Sequence, residues 1–264
     1  MNDIVQSLWI GDELSSIEKI CINSFLKNGH PFHLYTYSNI KDVPKGTTIL
    51  DANTIIPESK IFRYANGSVA CFANYFRYKL LYEKGNWWVD TDVVCLQPFK
   101  FKEKYVFGIQ QDMPLIINNA VMKFPKKDAF LKTLILTASR PNKIYRNDSK
   151  KRILRKLVNY IYHRNKIAAF KWGETGPNLL SQYILNNKLD IFSQKKSVFY
   201  PVHWQDWKIL FEENVHIESI KKNETVAIHL WNEMFRKDID KNDKFPRGSI
   251  LEYLENKYIE KVLS

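Results

Sequence analysis

One α/β domain built on an open sheet is the fold class this sequence predicts, and three observations predict it. A strand–helix–strand pattern closes within the first 37 residues, as in a parallel βαβ unit. An amphipathic helix over 68–84 passes, after a glycine, straight into an apolar strand opening at Trp87. The 264 residues are 45% hydrophobic and 26% charged, which is enough to bury a continuous core. Seven Trp, fourteen Tyr and sixteen Phe argue against disorder, while nine Gly and ten Pro are too few for a low-complexity chain. No apolar run reaches the roughly 18 residues of a membrane span. The first residues lack the basic and apolar regions of a signal peptide. Cys21, Cys71 and Cys95, odd in number and widely spaced, predict neither a disulfide framework nor a zinc cluster. A reduced, cytoplasmic protein is expected.

Taken in order, residues 4–10 read as a buried strand and Gly11-Asp12 as a turn. Ser15 and Glu18 have capping-box spacing for a helix to Leu26, which Gly29 ends. Residues 32–37 alternate as a second strand, and 38–66 are turn-rich with one short strand near 48–50. Ser68 is expected to cap the next helix, Gly85 to end it, and Val69, Phe72, Phe76 and Leu80 to face the core. A strand over 87–96 follows, then strands at 105–110 and 115–122. Helices are expected at 126–138, 150–163 and 177–187, a late strand at 225–230 and a closing helix at 249–261. With no repeats and no Pro/Gly/Ser linker, the organisation is one domain over 1–264 with a helical, basic excursion at about 126–190.

The net charge is +12, and residues 149–173 hold eight Lys or Arg with no acid. A fold does not require such an excess, so a phosphate-rich ligand, nucleic acid or anionic membrane is implicated. The chemistry points elsewhere, to Asp90-Thr91-Asp92 inside the apolar run Trp87, Trp88, Val89, Val93, Val94. Strand periodicity directs both aspartates to one side, roughly 7 Å apart, where they repel and resist desolvation. A divalent cation held by oxygens removes that penalty and suits a nucleotide diphosphate. The plain alternative is two surface acids leaving a strand end; against it, the C-terminal ends of strands in open α/β sheets are where ligands bind.

The block Phe76-Arg77-Tyr78-Lys79-Leu80-Leu81-Tyr82-Glu83-Lys84-Gly85, followed by Trp87-Trp88-Val89-Asp90-Thr91-Asp92, resembles the signature of DXD-containing glycosyltransferases. Glycosyltransferase family 32 and the capsular-polysaccharide sugar transferases are the nearest in pattern. The catalytic domains of bacterial glucosylating toxins and the lipopolysaccharide galactosyltransferases are more distantly similar. Trp9, Asn118-Asn119, Gly176-Pro177 and His229 to Trp231 are weaker echoes along the chain. The resemblance implies a GT-A type fold, a Rossmann-like open mixed sheet with flanking helices. It further implies a UDP-sugar donor, Mn²⁺ or Mg²⁺, and transfer with retention. Two departures stand out: Ala73-Asn74 replaces the Ser-Asp frequent in relatives, and Asn86 stands where a second glycine is common.

By the same resemblance Asp92 is the expected direct metal ligand, Asp90 shares the ion or holds the ribose, and His229 is a candidate third ligand. Imidazole suits Mn²⁺-like ions. Trp9, at the end of the first strand, is expected to stack on uracil. Arg77, three residues after Asn74, presents a donor fork beside an amide to the donor sugar and its phosphates. Asn118 and Asn119 interrupt an apolar stretch and would find partners in sugar hydroxyls, or else form a turn. Trp231 would close over the donor or simply pack. Glu174-Thr175-Gly176-Pro177 precedes a helix, with Gly-Pro as an acceptor-side wall and Glu174 or Thr175 as the cap. Each of these residues also has a structural reading as core or surface.

The expected reaction moves a hexose or N-acetylhexosamine to a saccharide or lipid-linked oligosaccharide acceptor of a bacterial surface glycan: capsule, O-antigen or lipopolysaccharide. Residues 150–166 form a basic amphipathic segment in which Ile153, Leu157 and Ile161 repeat beside Leu154 and Val158. Such a segment suits an anionic membrane, which would put the protein at the inner face of that membrane. Two competing readings remain. A nucleic-acid-binding protein or metal nuclease would use the +12 charge, the aromatics and the paired acids, but that charge is concentrated far in sequence from Asp90 and no nucleic-acid-binding pattern is present, so no nucleic acid is expected. An inactive sugar-binding relative is suggested only by Ala73-Asn74 and Asn86.

Overall fold

The computed structural model describes residues 2–140, 142–144, 148–163, 171–235 and 239–259. Its elements run β1 (Val5–Trp9), α1 (Ser16–Lys27), β2 (Phe32–Thr36), β3 (Thr48–Asp51), α2 (Ala70–Lys84), β4 (Asn86–Val89), β5 (Val93–Cys95), β6 (Val106–Gln111) and β7 (Ile116–Phe124). Then follow α3 (Ala129–Ala138), α4 (Lys150–His163), α5 (Pro177–Asn186), β8 (Ser193–Gln194), α6 (Lys196–Phe199), β9 (Ala227–His229), α7 (Asn232–Phe235) and α8 (Ile250–Tyr258).

The main sheet has seven strands in the order β3-β2-β1-β4-β7-β6-β8. β1, β2 and β3 are parallel and β4 joins β1 in the same direction, while β7 runs antiparallel to β4 and to β6. The first βαβ unit is therefore as the sequence predicts, and the architecture is an open mixed α/β sheet flanked by helices. Consecutive tryptophans on β4 supply both faces, because side chains alternate along a strand. Trp87 packs with Phe25, Phe99 and Phe199 on the α1 and α8 side, and Trp88 with Phe72, Phe76 and Phe107 beneath α2. Within the excursion, α3 packs on α2 and α5 on β7, so these helices are part of the main body.

The strand expected over 87–96 is two strands in two sheets. The Asp90 N–H donates to Ala120 O at 2.8 Å as the last link to β7, and the Val93 N–H then donates to Asp90 O at 3.1 Å, closing a turn. β5 leaves the main sheet and pairs antiparallel with β9, Val93 opposite His229. A sheet covered on both faces has no place for two carboxylates, so the chain turns where they occur.

Smaller corrections have local causes. Helix α2 starts at Ala70 with Val69 as N-cap, and the Ser68 hydroxyl accepts from the Ala70 N–H at 3.3 Å, one position early. Helix α3 starts at Ala129, after the 126 expected, because Asp128 is the cap and accepts from the Phe130 N–H at 2.9 Å. Gly176, with neither Glu174 nor Thr175, caps α5. Asn118 and Asn119 lie inside β7 and make no turn, next to register shifts between β6 and β7. The closing helix ends at Tyr258, and residues 260–261 of the expected span lie outside the described residues. Gly85 does end α2, at φ 68°; a Cβ there would stand 2.8 Å from the Lys126 backbone nitrogen, so only glycine fits.

Candidate active site

Asp90, Asp92 and His229 converge where β4, β5 and β9 meet. One ligand atom from each lies within 4.8 Å of the others. The two aspartates share a side through the 90–93 turn, where the sequence argument had used strand periodicity. His229 comes from far along the chain, delivered by the β5–β9 pairing.

Different elements brace each carboxylate. Arg77 of α2 pairs with Asp90 Oδ1 at 2.9 Å, and Trp88 Nε1 donates to the same oxygen at 2.7 Å. Asp92 Oδ2 accepts from the Asn232 N–H at 2.9 Å, at the start of α7, while Asp92 Oδ1 lies 3.2 Å from His229 Nε2. Burial pushes the Asp90 carboxyl up, and its neighbour Asp92 adds to this, although Arg77 opposes it. Burial also works to raise Asp92, but His229, the Asn232 N–H and Lys241 outweigh it and hold that carboxyl below its ordinary range. The two neighbouring carboxyls are thus pushed in opposite directions, Asp90 up and Asp92 down.

The donor set fits a small divalent cation: two hard carboxylate oxygens and an imidazole whose buried Nδ1 has no hydrogen-bond partner among the described residues. The side chain of Asp90 keeps 26% of its surface exposed, so the cluster is open on one side.

The structure also gathers a polar ladder beside the carboxylates. Arg77 Nη1 donates to Asn119 O at 2.6 Å, Asn119 Nδ2 to Asn74 Oδ1 at 2.8 Å, and Asn74 Nδ2 to Thr175 Oγ1 at 3.2 Å. Asn74, Arg77, Asn119, Asp90, Asp92 and His229 thus form one connected site. Asn118 points out of the ladder: its Nδ2 donates to Gln110 Oε1 at 2.7 Å and its Oδ1 accepts from the Ala120 N–H. Trp231 packs with its ring centroid 4.0 Å from that of His229, and its Nε1 donates to Val202 O at 3.0 Å. Trp9 reaches the site through a relay. Lys241 Nζ stands 5.6 Å from the Trp9 ring centroid and 2.6 Å from Glu18 Oε1, which also accepts from Asn232 Nδ2 at 3.2 Å.

Sequence reasoning missed the roles of Trp88, Asn232 and the Glu18–Lys241 couple, and read Thr175 only as a possible helix cap. Trp88 carried a signal, since it lies two residues from Asp90. Asn232 acts through its backbone N–H, which no side-chain pattern reveals.

An open α/β sheet thus sets a DXD turn, a buried arginine and a facing histidine beside an amide ladder. The alpha 1,4-glycosyltransferase conserved region matches residues 147–258, a stretch that includes His229 and follows both aspartates. The chain is 28% identical over 170 residues to lactosylceramide 4-alpha-galactosyltransferase of Rattus norvegicus, covering 59% of this chain and 39% of that protein. Against the Homo sapiens enzyme it is 24% identical over 170 residues, covering 59% and 40%. The chain therefore spans about two-fifths of the length of these relatives. Among solved structures, the PaToxG glycosyltransferase aligns with TM-score 0.46 at 16% identity, over 72% of each chain. The resemblance to glycosyltransferases read from residues 76–92 is borne out by the match of residues 147–258 to the alpha 1,4-glycosyltransferase conserved region and by the similarity to these galactosyltransferases.

Proposed function

We propose that this chain transfers a hexose or N-acetylhexosamine from a UDP-sugar to a saccharide acceptor of a bacterial surface glycan, with retention of configuration. The observation that carries this reading is the convergence of Asp90, Asp92 and His229 within 4.8 Å, braced by Arg77. Asp90, Asp92 and His229 would hold Mn²⁺ or Mg²⁺, which when bound supplies positive charge to offset that developing on a departing diphosphate.

The chain's own residues do the rest by positioning and electrostatics. Arg77 fixes Asp90 from one side and presents a planar fork beside it. Asn119 and Asn74 offer a preset row of amides to sugar hydroxyls, and Thr175-Gly176 closes that row. A Cβ on Gly176 would stand 3.0 Å from Asn74 Nδ2, so the wall is as tight as glycine allows. Trp9, with Lys241 above its ring, is assigned to the uracil base and its charged neighbourhood. Trp231 backs His229. No side-chain nucleophile is required, because in front-face transfer the departing phosphate can take the acceptor's proton.

The test is a panel of UDP-Glc, UDP-Gal, UDP-GlcNAc and UDP-GalNAc assayed for hydrolysis with and without Mn²⁺. One donor is expected to be turned over only with the metal. Asp92→Asn is expected to lower that rate by at least about 100-fold with an unchanged circular dichroism spectrum. Turnover that persists in chelator, or an Asp92→Asn variant as active as the parent, would defeat the reading.

A further inference from the structure

Helix α4 is turned inside out. Its apolar residues Leu154, Leu157, Val158 and Ile161 recur at the spacing of one helical stripe, and they are 62%, 45%, 44% and 68% exposed. On the opposite side, Lys156 is 1% exposed and Asn159 is buried. Ordinary surface helices are the reverse.

Polar bonds hold this orientation. Lys156 Nζ donates to Lys143 O at 2.5 Å and pairs with Asp148 at 2.7 Å. Arg155 Nη2 donates to both carboxylate oxygens of Glu174, at 2.8 and 2.9 Å, and Asn159 Nδ2 donates to Asn142 Oδ1 at 2.8 Å. A helix anchored through its charges leaves its apolar stripe for something outside the described chain.

We propose that this stripe docks in the plane of an anionic lipid bilayer. The charge pattern selects that occupant. Lys150 and Lys151 are exposed at the start of the helix, and residues 149–173 contain no acid. A second copy would bring the same basic end to the same stripe and be repelled, whereas an anionic surface attracts it by about 1 kcal/mol per lysine. Tyr160 and Tyr162, 65% and 76% exposed, are amphipathic side chains suited to headgroup depth. Among the described residues no helix is long and apolar enough to cross a membrane, so α4 lies on the surface of the bilayer. The face is also tied to the amide ladder. Glu174, which anchors Arg155, immediately precedes Thr175, which accepts from Asn74.

Flotation of the full chain with phosphatidylcholine vesicles, with or without phosphatidylglycerol, tests this. Binding is expected only with the anionic lipid, and to weaken in about 0.5 M salt. Leu157→Asp/Ile161→Asp and, separately, Lys150→Glu/Lys151→Glu are each expected to weaken it by about tenfold or more. Both variants should keep the parent's thermal unfolding and vesicle-free donor hydrolysis. No binding to either vesicle, variants that bind like the parent, or a concentration-dependent dimer dispersed by Leu157→Asp/Ile161→Asp would each overturn the proposal. Because the readout needs no sugar donor, it fails independently of the transfer reading.

Discussion

Two buried cation–carboxylate couples carry opposite duties. Arg77–Asp90 lies between α2 and the 90–93 turn, with the side chains 6% and 26% exposed. Lys156–Asp148 lies under α4, with both sealed at 1% and 2%. The first leaves its carboxylate partly open and next to a second one, so charge remains to be satisfied from outside. The second closes on itself and fixes which way a helix faces. A buried ion pair is weak evidence of stability in either case, since desolvation offsets most of the attraction. What differs is the open side: the first couple has one and the second does not.

The largest effect expected is from Arg77→Met, which strands Asp90 and removes the donor to Asn119 O. It should lose about 4 kcal/mol, read as a lowered urea midpoint. Adding Asp90→Asn should restore much of that stability without restoring donor turnover. Restored turnover would erase the contrast between the couples. Lys156→Met should lose about 3 kcal/mol and open the excursion to proteolysis. Here the double variant with Asp148→Asn should recover stability while leaving donor hydrolysis near that of the parent.

A buried group without an ion pair extends the comparison. His30 lies near Asp3 O through Nδ1 at 2.9 Å and accepts from the Phe99 N–H at Nε2, 3.0 Å away, which requires the neutral ring. Burial holds its pKa below the ordinary 6.5, against the pull of Asp3, and His33 shifts the same way. Below pH 6.5 the unfolded chain takes up protons that the folded one refuses. Stability should therefore fall as pH drops through that value, with a slope of at most about 1.4 kcal/mol per pH unit for each histidine. His30→Gln should flatten the curve measured by denaturation at several pH values. The smallest effect belongs to the partly exposed Lys79–Glu83 pair on α2, 3.2 Å apart. Lys79→Ala should cost about 0.4 kcal/mol, setting the scale against which the buried couples stand out.

Legibility in the sequence followed the range of the interactions. The first βαβ unit, α2 and its Gly85 stop were readable because periodicity and end signals act within a few residues. The aspartate pair was readable through its neighbours, yet its geometry was not. The split at residues 90–93 is decided by β9, and His229 contacts Asp92 across 137 positions. Likewise, α4 showed its amphipathic pattern, but which face turned inward depended on Asp148 and Glu174, outside the helix. Asn118 and Asn119 looked alike as letters and were parted by the pleat of β7, one into the ladder and one out of it.

The pairing of β5 with β9 sets an order of assembly. Every stretch of this polypeptide that stops before residue 229 carries both acids without the imidazole opposite them. Such a stretch has Arg77 to pair with Asp90 but lacks the partner of Asp92 across the ribbon. The three-group cluster is complete only with β9, a strand of three residues.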